Sequence, residues 1–338
     1  LMLAAGKRVS IKSRLLVKEA LNIDNYRGIV RLVKAVLFMT VSFEAVGALL
    51  SFLVFSQDYE PLHAAGISIF HSVAAFNNSG FDILGGLRNL IPYQENILLN
   101  FTTSFLILAG GLGFLVILDI GRHRRFKLLS FHSKIVIVTS AVLVAAGMFL
   151  LKWTEDISWL GAFFQSVSAR TAGFSTYPIG TFSNAGLFVL CILMFIGASP
   201  GSTGGGIKTS TFFVMIQAAR SACTKRNVSA FHREISQKNV SKACMITVLS
   251  ITVVCIATFF MCILEPGCSF IQIFFEVVSA FGTVGLSPGI TPELCTAGKL
   301  VIISVMFIGR LGAFTLLTMW ISRPESAIRY SEESIAIG

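Results

Sequence analysis

The sequence predicts an all-α membrane protein made of repeated units around a common axis, each a span, a re-entrant pore helix, a glycine loop and a second span. Three observations carry that prediction: the composition, six long apolar segments, and a glycine loop that recurs at the same place between spans. Of 338 residues, 54% are hydrophobic and 13% are charged, against about 25% charged in soluble domains. Mean hydropathy is +0.78. A transmembrane β-barrel would show short segments of alternating polarity. Here the apolar runs are continuous and long enough for a helix to cross ~30 Å of hydrocarbon.

The six apolar segments are 28–55, 95–120, 134–153, 181–222 with an interruption, 240–264 and 296–321. Between the members of each successive pair lie the half-apolar stretches 63–82, 157–176 and 270–287. These are too short to cross and too apolar for solvent, which fits re-entrant segments. The chain therefore divides into units at 28–127, 128–239 and 240–323, preceded by 1–27 and followed by a tail at 324–338. Residues 1–5 read like the end of an apolar helix that runs into Lys7 and Arg8, so the beginning of the chain looks truncated.

Charge placement sets the orientation. The net charge is +10, from 27 Lys and Arg against 17 Asp and Glu. Most of the basic residues precede the first span, lie in the links 122–134 and 220–242, or follow the last span at Arg323 and Arg329. The opposite side holds Asp58, Glu60, Asp82, Glu95, Glu155, Asp156, Glu265, Glu276 and Glu293. The positive-inside rule then puts both ends of the chain in the cytoplasm and the three glycine loops outside. The positive charge is topological, and no nucleic-acid partner is expected. Tyr59, Tyr93, Trp153, Trp159 and Tyr177 sit near outer span ends and Trp320 near an inner one, as interfacial residues do. The seven cysteines include no CxxC pair, and the five histidines form no spaced cluster, so no transition-metal site is expected. Cys268 and Cys295 fall outside the membrane, where a disulfide between them is one reading and free thiols the other and better one.

The loops are Asn78-Ser79-Gly80-Phe81-Asp82, Thr171-Ala172-Gly173-Phe174-Ser175 and Thr283-Val284-Gly285-Leu286-Ser287. Upstream, 166–169 resembles 277–280, and 72–75 is a weaker version with a one-residue length difference. Glycine loops at membrane depth expose backbone carbonyls that only a water- or ion-filled cavity tolerates. Glycine permits the positive φ that turns successive carbonyls toward an axis. The re-entrant helices point their partially negative C-termini at that cavity, which favours a cation. Thr283-Val284-Gly285 also matches the first three letters of a K⁺-channel filter. One such glycine alone would be an ordinary helix cap; three copies on one side make a filter the better reading.

The second spans repeat as well: 108–114 matches 308–314, and the middle copy opens at 198–206 into Ser199-Pro200-Gly201-Ser202-Thr203-Gly204-Gly205-Gly206. A weak point is expected there in every unit. This insert follows a span rather than a strand and lacks Gly-Lys-Ser/Thr, so it is not a P-loop. Arg310 lies mid-span, where an unpartnered Arg costs ~2.5–3.5 kcal/mol, so it is expected to face the pore or a polar partner. Lys208 either supports the interrupted segment or snorkels to water. Glu44 is read as a packing residue, and Arg170 as a brace on the second loop.

The loops, the segment 201–209 and the motif Phe307-Ile308-Gly309-Arg310-Leu311-Gly312 resemble the Trk/Ktr/HKT superfamily of K⁺ transporters, specifically KtrB-type membrane subunits, over essentially the whole chain. The resemblance implies four units around a single pore, K⁺-channel-like, with the first unit's filter outside this sequence and 1–27 its end and cytoplasmic link. In relatives a Ser at that first filter position accompanies Na⁺ selectivity. It also implies K⁺ uptake across the plasma membrane, with K⁺ held by Asn78, Ser79, Gly80, Thr171, Ala172, Gly173, Thr283, Val284 and Gly285. Gating would fall to Gly201, Ser202, Thr203, Gly204, Gly205, Gly206, Lys208 and Arg310. No cofactor is implied; Na⁺ is a candidate coupling or activating ion. The implied partners are membrane lipid, a second copy contacted through Ser334 to Gly338, and a cytoplasmic ring of KtrA-type nucleotide-binding subunits docked on the basic links. Two other classes fit worse. A membrane enzyme needs a catalytic constellation, and Glu44, Arg310 and Lys208 have no partner at catalytic spacing. An alternating-access carrier uses broken helices, but one broken span beside three glycine loops is the wrong ratio.

Overall fold

A computed structural model describes residues 29–86, 88–224 and 227–312. The expected leading segment 1–27, the last span beyond Gly312, the tail 324–338, and Lys225, Arg226 and Trp320 lie outside the described residues.

In the first unit, α1 (Ile29–Phe55) is the span, α2 (Pro61–Phe76) the re-entrant helix, and α3 (Ile97–Leu112) with α4 (Phe114–His123) the second span. The second unit contains α5 (Phe131–Thr154), α6 (Trp159–Ser168), α7 (Asn184–Phe195) and α8 (Thr209–Thr224). A short antiparallel hairpin, β1 (Ser229–Ala230) and β2 (Arg233–Glu234), leads to the third unit of α9 (Gln237–Leu264), α10 (Phe270–Gly282) and α11 (Thr296–Leu311).

The helix starts are written in the sequence. Pro61 opens α2, where its missing N–H costs nothing. Ser158 accepts from the Gly161 N–H at 3.0 Å, Ser183 from Gly186 at 3.1 Å, and the Cys295 thiol from Gly298 at 3.3 Å. Ser269 and Gln272 form a reciprocal capping box at the start of α10. Each cap supplies a partner to an N–H that has none inside its helix.

The spans differ from the sequence expectation in one systematic way. Among the described residues only α1, α5 and α9 are long and apolar enough to cross a membrane as single helices, and α3 with α4 would make a fourth bent by 100°. The span expected at 95–120 is therefore two helices, broken inside 108–114 where the repeat predicts a weak point. Gly113, at φ 92°, cannot continue a right-handed helix, and a Cβ there would stand 2.7 Å from the Pro200 carbonyl oxygen. The break makes room for the interrupted segment of the second unit. Gly312 ends α11 in the same conformation, at φ 86°.

Packing runs around the units in order: α1 on α2, α2 on α3, α3 on α6, α5 on α6, α7 on α10, and α10 on α9 and α11. One apolar core gathers Phe55, Ile67, Phe76, Leu106, Phe164 and Phe174, and another Leu151, Leu190, Met194, Met261 and Phe275. The outward faces are apolar too, with Phe38, Leu49, Trp153 and Phe259 exposed, as lipid contact requires. Cys268 and Cys295 are free thiols.

Two glycines set the closest approach. A Cβ on Gly110 would lie 1.8 Å from the Phe76 carbonyl oxygen, and one on Gly309 would lie 1.9 Å from that of Phe281. Each glycine lets a second span touch the C-terminal end of its own re-entrant helix. The structure thus pairs Gly110 with Gly309 and Gly113 with Gly312, one residue away from the sequence matching of 108–114 with 308–314. Gly110→Ala and Gly309→Ala should each lower stability by about 1–3 kcal/mol through overpacking. Gly66→Ala, where a Cβ would meet nothing within 4 Å, should not. Thermal unfolding in detergent checks the contrast, and equal effects at all three sites would refute it.

Candidate functional site

The three glycine loops share one backbone design. Asn78 and Gly80 have φ of 51° and 68°, Thr171 and Gly173 of 89° and 82°, and Thr283 and Gly285 of 52° and 95°. The residues between them, Ser79, Ala172 and Val284, keep negative φ. This alternation gathers successive N–H groups on one side of the chain, and in each loop they turn back to the re-entrant helix. Asn78 and Ser79 donate to Ala75 and Ala74, Ala172 and Gly173 to the Ser168 carbonyl, and Thr283 and Val284 to Ala280 and Ser279. Gly285 N–H is taken by the Ser279 hydroxyl at 3.2 Å. These N–H groups are thereby held behind the loops, on the helix side.

The loops sit side by side in chain order. A Cβ on Gly80 would lie 2.5 Å from the Ala172 carbonyl oxygen, and one on Gly173 would lie 2.0 Å from that of Val284. Beside Gly285 none of the described residues lies within 4 Å of such a Cβ. Behind the second and third loops, Ser168 and Ser279 donate to the carbonyls of Phe174 and Leu286, one residue past the glycine in each case. Asn78 is buried and, in the amide orientation that satisfies both its ends, donates to the carbonyls of Ala75 at 3.1 Å and Ile107 at 3.3 Å.

Under the loops lies the interrupted segment between α7 and α8. It is tied to the break in the first unit by backbone hydrogen bonds: Ser199 N–H to Gly111 at 3.0 Å, Thr203 N–H to Gly110 at 3.4 Å, and Phe114 N–H to Gly201 at 3.1 Å. The Thr203 hydroxyl lies 3.3 Å from the carbonyls of both Phe76 and Gly110. Gly201 and Gly206 take positive φ, and the Ser202 hydroxyl closes a turn on the Ser199 carbonyl at 2.6 Å. A Cβ on Gly204 would be 2.2 Å from the Thr171 hydroxyl, and one on Gly205 would be 2.3 Å from that of Thr283. The segment is thus pressed against the first residues of the second and third loops.

Two cations hold this segment. Lys208 donates to the Gly204 carbonyl at 2.6 Å, and Arg310, reaching from α11, donates to the Thr203 carbonyl at 2.5 Å. Arg310 therefore has the polar partner its mid-span position demanded, and Lys208 supports the segment instead of snorkelling to water. Arg170 is buried and reaches Ser140 of α5 and, at 3.5 Å, the Gly197 carbonyl where the segment begins. Glu44 accepts from the Asn77 amide at 3.0 Å, one residue before the first loop.

The structure adds Asn89, which the sequence did not single out. Its side chain accepts from Ser175 N–H at 3.2 Å and donates to the Gly173 carbonyl at 3.4 Å, so the first unit's outer loop ties down the second glycine loop. Asn89 itself sits at φ 50°, a conformation asparagine tolerates better than most residues. One asparagine in a polar loop gives no pattern from which that role could be read. Taken together, the arrangement sets abutting glycine loops against a segment held by two cationic side chains.

A family model described as TrkH, cation transport protein, matches residues 3–147 and 122–329. The Ktr system potassium uptake protein B of Bacillus subtilis is 36% identical, over 100% of this chain and 78% of its own length. The potassium/sodium uptake protein NtpJ of Enterococcus hirae is 38% identical, over 99% of this chain and 78% of its own. Among solved structures, the potassium transporter TrkH from Vibrio parahaemolyticus superposes with a TM-score of 0.74, at 20% identity over 91% of this chain and 68% of that one. This last likeness establishes the fold.

The loop geometry orders three substitutions. Gly173→Ala and Gly80→Ala combine left-handed strain with collision on a neighbouring carbonyl, whereas Gly85→Ala, at φ 81° in the exposed outer loop, meets strain alone, about 1–2 kcal/mol. Thermal unfolding should rank Gly85→Ala as the mildest, and an equal or larger loss there would refute the ordering.

Proposed function

This chain belongs to the TrkH family of cation transport proteins, and we propose that it is the ion-conducting subunit of a Ktr-type system that takes up K⁺ across the plasma membrane. The observation that carries the proposal is the threefold recurrence of one carbonyl-presenting backbone, at Asn78-Ser79-Gly80, Thr171-Ala172-Gly173 and Thr283-Val284-Gly285, with the loops abutting one another. Carbonyl oxygens in such an array replace the hydration shell of K⁺. The names of the relatives in Bacillus subtilis and Enterococcus hirae support potassium as the cargo.

In this reading the segment Gly201 to Gly206 is the gate. It occupies the space beneath the loops, and Arg310 and Lys208 latch it by its own carbonyls. The latch also leaves two positive charges on the exit path. Opening requires the Arg310–Thr203 contact to part and the segment to leave Thr171 and Thr283.

The relative named for both potassium and sodium favours a second reading, with Na⁺ as a conducted, coupling or activating ion. Orientation follows charge: the basic links around Arg122 to Lys127 and Arg220 to Lys242 face the cytoplasm, and the glycine loops face outward. Those links form the docking surface for a cytoplasmic KtrA-type nucleotide-binding ring, and the membrane part works as a homodimer. The tail residues expected to touch the second copy lie outside the described residues.

K⁺ and Na⁺ flux through the full-length protein in liposomes tests the reading. Gly285→Ser should lower K⁺ preference over Na⁺ about tenfold, since one misplaced ligand set is worth on the order of 1.4 kcal/mol. Unchanged discrimination in folded protein would remove the filter assignment. Arg310→Ala should raise basal K⁺ flux several-fold by removing the latch and its charge; reduced flux with normal folding would make Arg310 a structural residue instead.

A further inference from the structure

The re-entrant helices carry a feature that neither the glycine loops nor the segment beneath them accounts for. The same position in each helix, matched through the pairs Phe76/Phe281 and Ser168/Ser279, holds a buried polar residue: His71, Gln165 and Glu276, at 4%, 0% and 4% exposure. Three polar side chains in an apolar layer need partners, because an unpaired buried polar group costs more than a hydrogen bond returns.

Two of the three find equivalent partners. Glu276 accepts from the hydroxyls of Ser287 and, at 2.5 Å, Thr291. In the amide orientation that satisfies its surroundings, the Gln165 oxygen accepts from the Ser175 hydroxyl at 2.9 Å and from the Thr176 N–H at 3.1 Å. Ser175 and Ser287 stand at the same point, two residues past the loop glycine. His71 departs from the pattern: it bonds the Thr103 hydroxyl at 2.8 Å and packs edge-on against Phe174, 5.1 Å between ring centres. Even so, it supports a neighbouring glycine loop from behind.

What Gln165 and Glu276 share is an sp² oxygen aimed at a serine on the exit limb of the loop; what they do not share is charge. The exit limb of the third loop is held from behind, by Ser279 on the Leu286 carbonyl and by Glu276 on Ser287.

We propose that Glu276 is a positioning residue for ion selection, acting as a hydrogen-bond acceptor that fixes the exit limb of the third loop, with Gln165 doing the same in the second. The proposal rests on the reading of the glycine loops as an ion filter. The acceptor sets where the carbonyls of Val284 to Leu286 stand, and the carboxylate charge is incidental to that task.

The test is the K⁺/Na⁺ flux ratio of the full-length protein in liposomes, with thermal unfolding of each variant measured in parallel. Glu276→Ala should lower the ratio about tenfold, by freeing the Ser287 and Thr291 hydroxyls from their acceptor. Glu276→Gln, which keeps the acceptor and removes the charge, should restore it to within about twofold. If Glu276→Ala does not fold, Ser287→Ala paired with Thr291→Val removes the donors from the loop side and should reproduce the loss. A folded Glu276→Ala, or folded Ser287→Ala/Thr291→Val, with an unchanged ratio would overturn the proposal. So would a Glu276→Gln as damaged as the alanine variant, since charge would then be the operative property. Gly285→Ser, measured alongside, separates the two levels: a shift there without one at Glu276 rejects the brace alone, and no shift at either rejects the filter and the brace with it.

Discussion

At membrane depth every backbone N–H and C=O must find a partner inside the protein, and departures from regular helix here answer to that constraint. The glycine loops leave helical geometry, so their N–H groups are returned to the ends of α2, α6 and α10. The positive φ at the first and third residues of each loop is the conformational cost of that arrangement. Asparagine and threonine stand at the first of these positions, where left-handed backbone is uncommon, and glycine at the third, where a neighbouring loop crowds two of the three copies.

The same rule shapes the second spans. The segment between α7 and α8 exposes a run of peptide groups that no helix satisfies. It borrows partners from the first unit, whose own second span breaks at Gly113 and offers the carbonyls of Gly110 and Gly111. Two irregular stretches from different units thereby satisfy one another. Arg310 and Lys208 then take the carbonyls of Thr203 and Gly204. Charge and hydrogen bonding act here on the same atoms, so Arg310→Ala bears on both.

The fold was largely legible in the sequence because hydropathy and repetition are statements about single segments. The six apolar runs, the three short re-entrant stretches and the opening at 198–206 each announced themselves by length or composition. The break at Gly113 falls inside 108–114, where a weak point was expected, but its exact residue and its sharp bend were not legible, since Gly110, Gly111 and Gly113 read alike and only contact with Pro200 and Gly201 decides among them. For the same reason the sequence matching of the second spans slipped by one residue, because similarity alone aligned them and contact with Phe76 and Phe281 fixes the register. At the site, the residues named for loops and segment do come together, while Asn89, His71 and Gln165 escaped notice and Glu276 was read only as an outer-side charge. Their partners lie on other elements or across a turn, and His, Gln and Glu at one structural position share no letter that a repeat search could find.

The segment beneath the loops is held by backbone hydrogen bonds to another unit rather than by apolar packing alone. Carbonyls and N–H groups released by any movement of that segment need new partners at once, and at that depth only water can provide them. Displacing the segment and hydrating the space it vacates are therefore a single thermodynamic step. Its equilibrium then depends on the chemical potential of water, and an osmolyte too large to reach that space lowers this potential and favours the arrangement in which protein groups satisfy one another.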